Sequence, residues 1–247
     1  MLPFNVRICV IILLSLIFSE SRLENSSERL NAVLSSYVDS LGNVNYKGII
    51  DNPFALNDYL KFIKEVSPKS HPSYFNTNNS KKVYWINVYN AIILKLMVDN
   101  PGENILDIGY IGHDVFLKKF QIGGEKLSPH YIENKILRKM NDPRIHFAIN
   151  CASKSCPPLG NRILVEKDLD FQLNEKAYSF INNSQNVFID YDENIIYLNR
   201  IFKWFKKDFG NLKIYIFKYL NNHNYDEVKD FKIKFFKYDW SKNSINE

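Results

Sequence analysis

The stretch SKKVYWINVYNAIILKLMV, residues 80–98, is the strongest helix signal in the chain. Its apolar residues recur at the three- and four-residue spacing of one broad helix face, and Pro101-Gly102 ends the pattern. Asn87 and Asn90 fall on the same face, with Trp85 beside them. Because a buried amide must find hydrogen-bond partners, these two residues are predicted either to tie the helix to a loop or to line a pocket.

Helices and strands follow one another irregularly on both sides of this helix. The absence of a regular βαβ order predicts an α+β fold, with several helices packed on a small, mostly antiparallel sheet. A chain of 247 residues with 45% hydrophobic content suits a single compact domain. The predicted helices cover residues 27–41, 57–66, 80–98, 128–140, 169–181, 201–209 and 212–220, and the predicted strands cover a hairpin at 120–127 and residues 144–149, 186–189, 194–198 and 232–238.

Residues 1–21 have the pattern of a secretory signal peptide. Arg7 precedes an apolar run over residues 8–18, which is shorter than a membrane-spanning helix requires, and Ser19 and Ser21 suit signal peptidase. The alternative is an uncleaved membrane anchor. We therefore expect a secreted, extracellular protein whose domain occupies residues 22–247, with no stable membrane insertion after cleavage. Three Asn-x-Ser/Thr sequons predict a glycoprotein, and they begin at Asn25, Asn78 and Asn182.

The net charge of +5 is concentrated in residues 201–240, where lysines are interleaved with aromatic residues. This pattern is typical of the solvated side of amphipathic elements, and we do not expect a nucleic-acid partner. The sequence contains no Gly-rich phosphate loop, HExxH, GxSxG or paired CxxC motif, so it predicts no cofactor. A small molecule or a peptide remains the expected ligand.

The chemistry-bearing stretch is RIHFAINCASKSCPP, residues 144–158. A predicted strand delivers His146, and the following loop carries Cys151, Cys156 and the hydroxyls of Ser153 and Ser155. A neighbouring imidazole can take the proton of a thiol and so make it a nucleophile. Cys151 would then be the nucleophile and His146 the base, provided that the strand ends before Cys151.

Three other interpretations of the same stretch remain open. With Cys9 removed in the signal, Cys151 and Cys156 are left as a candidate disulfide pair in an oxidising compartment. His146 and both thiols could also bind a metal ion, although their spacing is unusual for zinc. Finally, His146 could simply be a buried, hydrogen-bonded core residue.

Several blocks of the chain resemble a known family, the domain of unknown function 547. The blocks occur in family order and extend from about residue 30 to 243. They are residues 84–91, 124–137, 144–148, Cys151, Ser153, 155–158, 197–204, 208–209 and 238–241. No activity is established for that family as a whole. The resemblance implies that family members expected to be intracellular keep both cysteines. Disulfides rarely persist inside cells, so this favours a thiol-based site.

The chain departs from the family pattern at two positions. Ala152 stands where the family commonly has glycine, and Asn134 stands where it often has histidine. If that histidine is an acid or base in relatives, this protein lacks it. Our hypothesis from sequence is a secreted thiol-dependent hydrolase or acyl transferase with Cys151, His146 and an orienting Glu133 or Asn90. The alternative is a non-catalytic binding module with a Cys151–Cys156 disulfide. Trp85, Asn87, Ser153, Ser155 and Cys156 complete the predicted site as binding residues.

Overall fold

A long central helix, Asn78–Asp99, organises the computed structural model, which describes residues 22–245. The helix begins with a capping box, in which the Thr77 hydroxyl accepts a hydrogen bond from the backbone N–H of Ser80 and the Ser80 hydroxyl accepts one from that of Thr77. Fourteen of its 22 residues are buried, so neighbouring elements cover it on nearly every side. The helix predicted over residues 80–98 is confirmed.

The other elements surround this helix. The helices are α1 (22–37 in its described part), α2 (Tyr46–Asp51), α3 (Phe54–Glu65), α4 (Asn78–Asp99), α5 (Pro129–Tyr131), α6 (Leu169–Ile181), α7 (Arg200–Trp204), α8 (Lys206–Phe209), α9 (Leu212–Phe217) and α10 (Tyr225–Val228). The strands are β1 (Phe120–Ile122), β2 (Glu125–Leu127), β3 (Val187–Asp190), β4 (Ile195–Leu198) and β5 (Lys232–Phe235). Short 3-10 turns cover Pro72–Tyr74, Ile105–Ile108, His113–Leu117, Pro143–Phe147 and Glu166–Asp168.

The strands form two small sheets. β1 and β2 pair antiparallel across Gly123-Gly124, whose φ angles of +56° and +83° favour glycine. In the second sheet β4 lies in the centre, antiparallel to β3 and parallel to β5, so that Ile196 pairs with Ile189 and with Ile233. The α+β class with a small, mostly antiparallel sheet is confirmed.

Two hydrophobic clusters form the core, and the stretch from Ile145 to Ile149 joins them. Ile145, Ala148 and Ile149 pack in the cluster around α4. Phe147 packs in the other cluster, which contains the inner face of the three-stranded sheet and helices α6 to α9. The chemistry-bearing stretch therefore passes through the middle of the molecule.

The strand predicted over residues 144–149 is wrong. Asp142 accepts a hydrogen bond from the backbone N–H of Arg144, and Pro143 occupies the first position of a 3-10 turn that ends at Phe147. Proline is suited to this position because it has no N–H to satisfy. Every residue from 145 to 150 is buried, so no face of this stretch is turned to solvent as an alternating strand would require.

The predicted signal peptide, residues 1–21, lies outside the described residues. Within residues 22–245, none of the helices combines the length and the apolar character needed to cross a membrane.

Buried amides fasten the loop that follows the 3-10 turn to α4. The side chain of Asn90 donates to the carbonyl of Ala148 at 2.9 Å and accepts from the backbone N–H of Asn150 at 2.9 Å. Asn150 in turn donates to the carbonyl of Pro157 at 2.8 Å and accepts from the N–H of Ala152 at 2.7 Å. These bonds span both ends of the loop that carries Cys151.

Asn90→Ala should lower the free energy of unfolding by about 2–4 kcal/mol, because it leaves one carbonyl and one N–H buried without a partner. The measurement is urea unfolding followed by circular dichroism. Asn79→Ala is the matched control, since Asn79 lies exposed on the same helix, and it should change stability by less than about 0.5 kcal/mol. Equal stability of the two variants would show that the Asn90 bonds do not hold the loop.

Candidate functional site

A cavity of about 120 Å³ lies between the 3-10 turn, the cysteine loop and helix α7. One carboxyl, one imidazole and two thiols line it, and they belong to Glu133, His146, Cys151 and Cys156. Apolar and aromatic side chains form the remaining walls: Tyr89, Phe116, Ile149, Pro157, Ile201, Trp204, Phe205, Tyr238 and Trp240. The structure thus brings Cys151, His146 and Glu133, all predicted from sequence, to one cavity.

Both thiols are free, so the structure does not show the predicted Cys151–Cys156 disulfide. The Cys151 sulfur lies 3.1 Å from the Ser153 hydroxyl and 3.4 Å from the Tyr238 hydroxyl. The Cys156 sulfur accepts the backbone N–H of Cys151 at 2.9 Å. Burial opposes ionisation of Cys151, but hydrogen bonds with Cys156, Ser153 and Tyr238 outweigh it and lower the pKa of the thiol to about 7.

Cys156 has the opposite electrostatic environment. Burial and the neighbouring Cys151 raise the pKa of Cys156 well above its ordinary value. Its sulfur also lies 4.0 Å from the carbonyl oxygen of Ile149, an acceptor that suits a protonated thiol. Cys151 is therefore the thiol of the pair that ionises first.

His146 is fixed by a chain of charged and aromatic groups. Its Nε2 lies 2.8 Å from Asp208 Oδ2, and Asp208 also receives two hydrogen bonds from Arg138, at 2.6 and 2.8 Å. The imidazole stacks on Phe205 with ring centroids 3.9 Å apart. The Arg138 guanidinium lies 5.2 Å from the centre of the same Phe205 ring. These contacts leave the imidazole little freedom to rotate.

The tautomer of His146 follows from its partners. Arg138 lowers the pKa of Asp208, so this carboxylate accepts the proton of Nε2 and leaves a lone pair on Nδ1. Burial lowers the pKa of His146 to about 4, and the imidazole is neutral at physiological pH. Nδ1 is buried without a hydrogen-bond partner among the described residues, and Glu133 Oε1 lies 4.0 Å from it.

Glu133 reaches the cavity from an unusual helical segment. After α5 the chain continues as a π-helix over Ile132–Leu137 and a 3-10 turn over Arg138–Met140, and the N–H of Arg138 donates to the carbonyl of Glu133. The Glu133 side chain is 15% exposed. Burial and the charge of Cys151 raise the pKa of the Glu133 carboxyl to about 7. π-Helical turns occur frequently at functional sites, where they redirect side chains.

The cysteine loop contains a residue in a left-handed conformation. Ala152 has φ = 61° and is fully buried, and its N–H and carbonyl bond to Asn150 and Asn243. This conformation costs a non-glycine residue about 1 kcal/mol or more. The hydrogen bonds to Asn150 and Asn243 must therefore hold the alanine in this conformation.

The three predicted site residues of α4, which are Trp85, Asn87 and Asn90, do not line the cavity. Asn87 bonds to the backbone of Leu164, and Trp85 is buried against Tyr84, so both contribute to the packing of α4. Asn90 contacts backbone groups of the loop and makes no hydrogen bond to His146 among the described residues.

The two loop serines also have defined places. Ser155 pairs with the backbone of Asp239 and holds the C-terminal segment. Ser153 is buried beside Cys151. Within residues 22–245, no three His, Cys, Asp or Glu side chains are arranged to hold a metal ion.

Sequence reasoning missed four side chains that complete the site, and they are Arg138, Asp208, Phe205 and Tyr238. The family blocks at 208–209 and 238–241 already contained Asp208 and Tyr238. No spacing rule relates them to His146 or Cys151, because 62 residues separate Asp208 from His146 and 87 separate Tyr238 from Cys151.

The fold and site define an α+β protein with a thiol, a carboxyl and an imidazole in one apolar cavity. Residues 73–181 match the model of a family described as "Protein of unknown function, DUF547", which confirms the resemblance to that family over this stretch. Asn90, Glu133, His146, Cys151 and Cys156 lie inside the matched stretch. No curated protein and no solved structure matches the chain.

Glu133→Gln should stabilise the protein more at pH 8 than at pH 4.5. The pKa of Glu133 is raised from 4.5 to about 7, so the folded state keeps a proton that the unfolded chain releases. The stability that this proton provides is complete below pH 4.5 and is lost as pH rises through 7. Relative to the unchanged protein, the variant should gain up to about 2–3 kcal/mol over this interval.

Urea unfolding at both pH values measures this difference, and contributions of His146 cancel because both proteins carry it. Glu175→Gln, at an exposed position of α6, is the control and should have the same effect at both pH values. A pH-independent effect of Glu133→Gln would contradict the raised pKa.

Proposed function

We propose that the protein is a thiol-dependent hydrolase or acyl transferase in which Cys151 is the nucleophile. The observation that carries the proposal is a free thiol with a lowered pKa in a cavity that also holds Glu133 and His146. Nucleophilic catalysis by cysteine requires a thiolate near neutral pH and a nearby group that transfers protons. Cys151 and Glu133, each with a pKa of about 7, meet these requirements within one cavity.

The reaction begins with attack of the Cys151 thiolate on the carbonyl carbon of an ester, thioester or amide. A carbon–sulfur bond forms, and the bond to the leaving group breaks. Glu133, with a pKa of about 7, is protonated in part of the molecules and supplies a proton to the leaving group. Water, or another nucleophile in a transferase, then attacks the thioester carbonyl and returns a proton to Glu133, which releases the acyl product and Cys151.

His146 and Tyr238 assist these steps without forming a covalent bond. His146 Nδ1 lies 4.0 Å from Glu133 Oε1, and its lone pair can accept a hydrogen bond from the protonated carboxyl as that group turns. Asp208 and Arg138 hold the imidazole in this orientation. Tyr238 keeps its proton, because burial raises its pKa well above the ordinary value, and it can donate to the Cys151 thiolate.

We also propose that the protein acts outside the cell, on a small molecule or a peptide. This proposal is supported by the apolar N-terminal segment and by the exposure of the sequon residues Asn25 and Asn78. The Asn182 amide donates to the carbonyls of Tyr178 and Tyr219 and accepts from the N–H of Asn221, so a glycan there would displace hydrogen bonds. Sequencing the N-terminus after expression in a eukaryotic secretory host tests the processing.

Iodoacetamide should alkylate Cys151 in the native, unreduced protein, with a midpoint of the rate near pH 7, and should leave Cys156 unmodified. Peptide mass mapping measures the adducts. Because Lys154 lies between the two cysteines, trypsin separates them when they are free and yields a linked pair when they form a disulfide. A linked pair in place of the adduct would reject the free nucleophile and support the disulfide-stabilised binding module.

Cys151→Ala should abolish hydrolysis of 4-nitrophenyl butyrate, whereas Cys156→Ser should retain at least about one tenth of kcat, because Cys156 is not the nucleophile. Glu133→Gln should lower kcat by about 10²- to 10⁴-fold, the usual contribution of an acid–base group. Stopped-flow absorbance and mass spectrometry of the acyl-enzyme measure both effects. Turnover that persists in Cys151→Ala would reject the mechanism.

A further inference from the structure

The chemistry of the residues that line the Cys151 cavity restricts which acyl groups it can bind. Nine of its thirteen lining residues are apolar or aromatic, and among the described residues no lysine or arginine lines it. His146 is neutral at physiological pH. A carboxylate or phosphate on the acyl group would therefore find no cation in the cavity and would face Glu133 and the thiolate of Cys151. Burying such an unpaired charge is strongly unfavourable.

The volume limits the size of the acyl group. The cavity of about 120 Å³ is slightly smaller than the engineered cavity of about 150 Å³ that is known to bind benzene. A four-carbon chain or one aromatic ring therefore fills it, and an eight-carbon chain exceeds it. Aromatic walls suit such groups because aromatic side chains bury large apolar areas.

The mouth of the cavity leaves room for the rest of the substrate. Trp204 is 42% exposed there and contacts Tyr238 and Trp240, with ring centroids 4.7 and 5.7 Å away. On another wall, Phe116 belongs to the 3-10 turn His113–Leu117, and His113 of the same turn packs on Trp240 at 4.9 Å. The leaving group can extend past Trp204 into solvent while the acyl group stays inside.

We propose that the Cys151 site accepts an uncharged, apolar acyl group between a butyryl and a benzoyl group in size. This inference rests on the proposed function, since it names the acyl group that Cys151 would receive. Phe116 is a half-buried wall residue whose truncation would enlarge the site.

The first experiment measures kcat/KM for 4-nitrophenyl acetate, butyrate, benzoate, octanoate and hemisuccinate, each divided by its uncatalysed hydrolysis rate. Butyrate and benzoate should exceed octanoate and hemisuccinate by at least about 10-fold, the effect of a misfit in an apolar pocket. Phe116→Ala should raise the ratio of octanoate to butyrate by about 10-fold. Phe171→Ala, which removes an exposed phenylalanine of α6, is the control and should leave the ratio unchanged.

A second experiment separates the acyl preference from catalysis. Saturation-transfer NMR measures binding of benzamide, butyramide and succinamate to Cys151→Ala, which cannot react. Benzamide and butyramide should bind and succinamate should not. Such binding without ester turnover in the unchanged protein would support the acyl preference and reject the catalytic proposal.

Two results overturn the acyl preference. Cys151-dependent turnover in which hemisuccinate or octanoate equals butyrate rejects it and leaves the catalytic proposal intact. Absence of both turnover and amide binding rejects both proposals.

Discussion

The hydrogen bonds of Asn90 and Asn150 are the constraint on which the rest of the site depends. One amide joins α4 to the chain on either side of Ile149, and the other closes the loop from Asn150 to Pro157. In a buried environment such bonds are strong and their absence is costly, so the network admits one loop conformation. Cys151 lies inside that loop, and its position is therefore determined by the packing of α4.

Burial then sets the chemistry of the ionisable groups. It disfavours the charged forms of both Glu133 and His146, which moves the pKa of the carboxyl up to about 7 and the pKa of the imidazole down to about 4. Between pH 4.5 and 6.5 the folded state keeps a proton on Glu133 that the unfolded chain releases, so this group lowers stability as pH rises. Over the same range the unfolded chain keeps a proton on His146 that the folded state lacks, so this group raises stability as pH rises. The combined contribution of these two groups to the pH dependence of stability is therefore small in this range.

Local sequence patterns predicted most of the fold, because helix spacing and turn residues act over short distances. The α4 pattern, the Gly123-Gly124 hairpin and the Ser128 cap all correspond to elements of the structure. The segment around His146 was predicted as a strand because its apolar residues alternate, yet both faces are buried between two core clusters. The partners Asp208 and Tyr238 could not be predicted, since only the tertiary fold brings them to His146 and Cys151.

The π-helix over Ile132–Leu137 gives the chain a register that a regular α-helix would not have. A π-turn contains one residue more than an α-turn, and each residue of an α-helix turns the chain by about 100°. Removing one residue from this segment would restore regular geometry, but it would rotate everything before or after it by that angle. Glu133 and Arg138 then could not both reach their present partners. The number of residues in this segment thus determines the directions of both the Glu133 and the Arg138 side chains. Insertions or deletions there are therefore restricted, even where individual substitutions are tolerated.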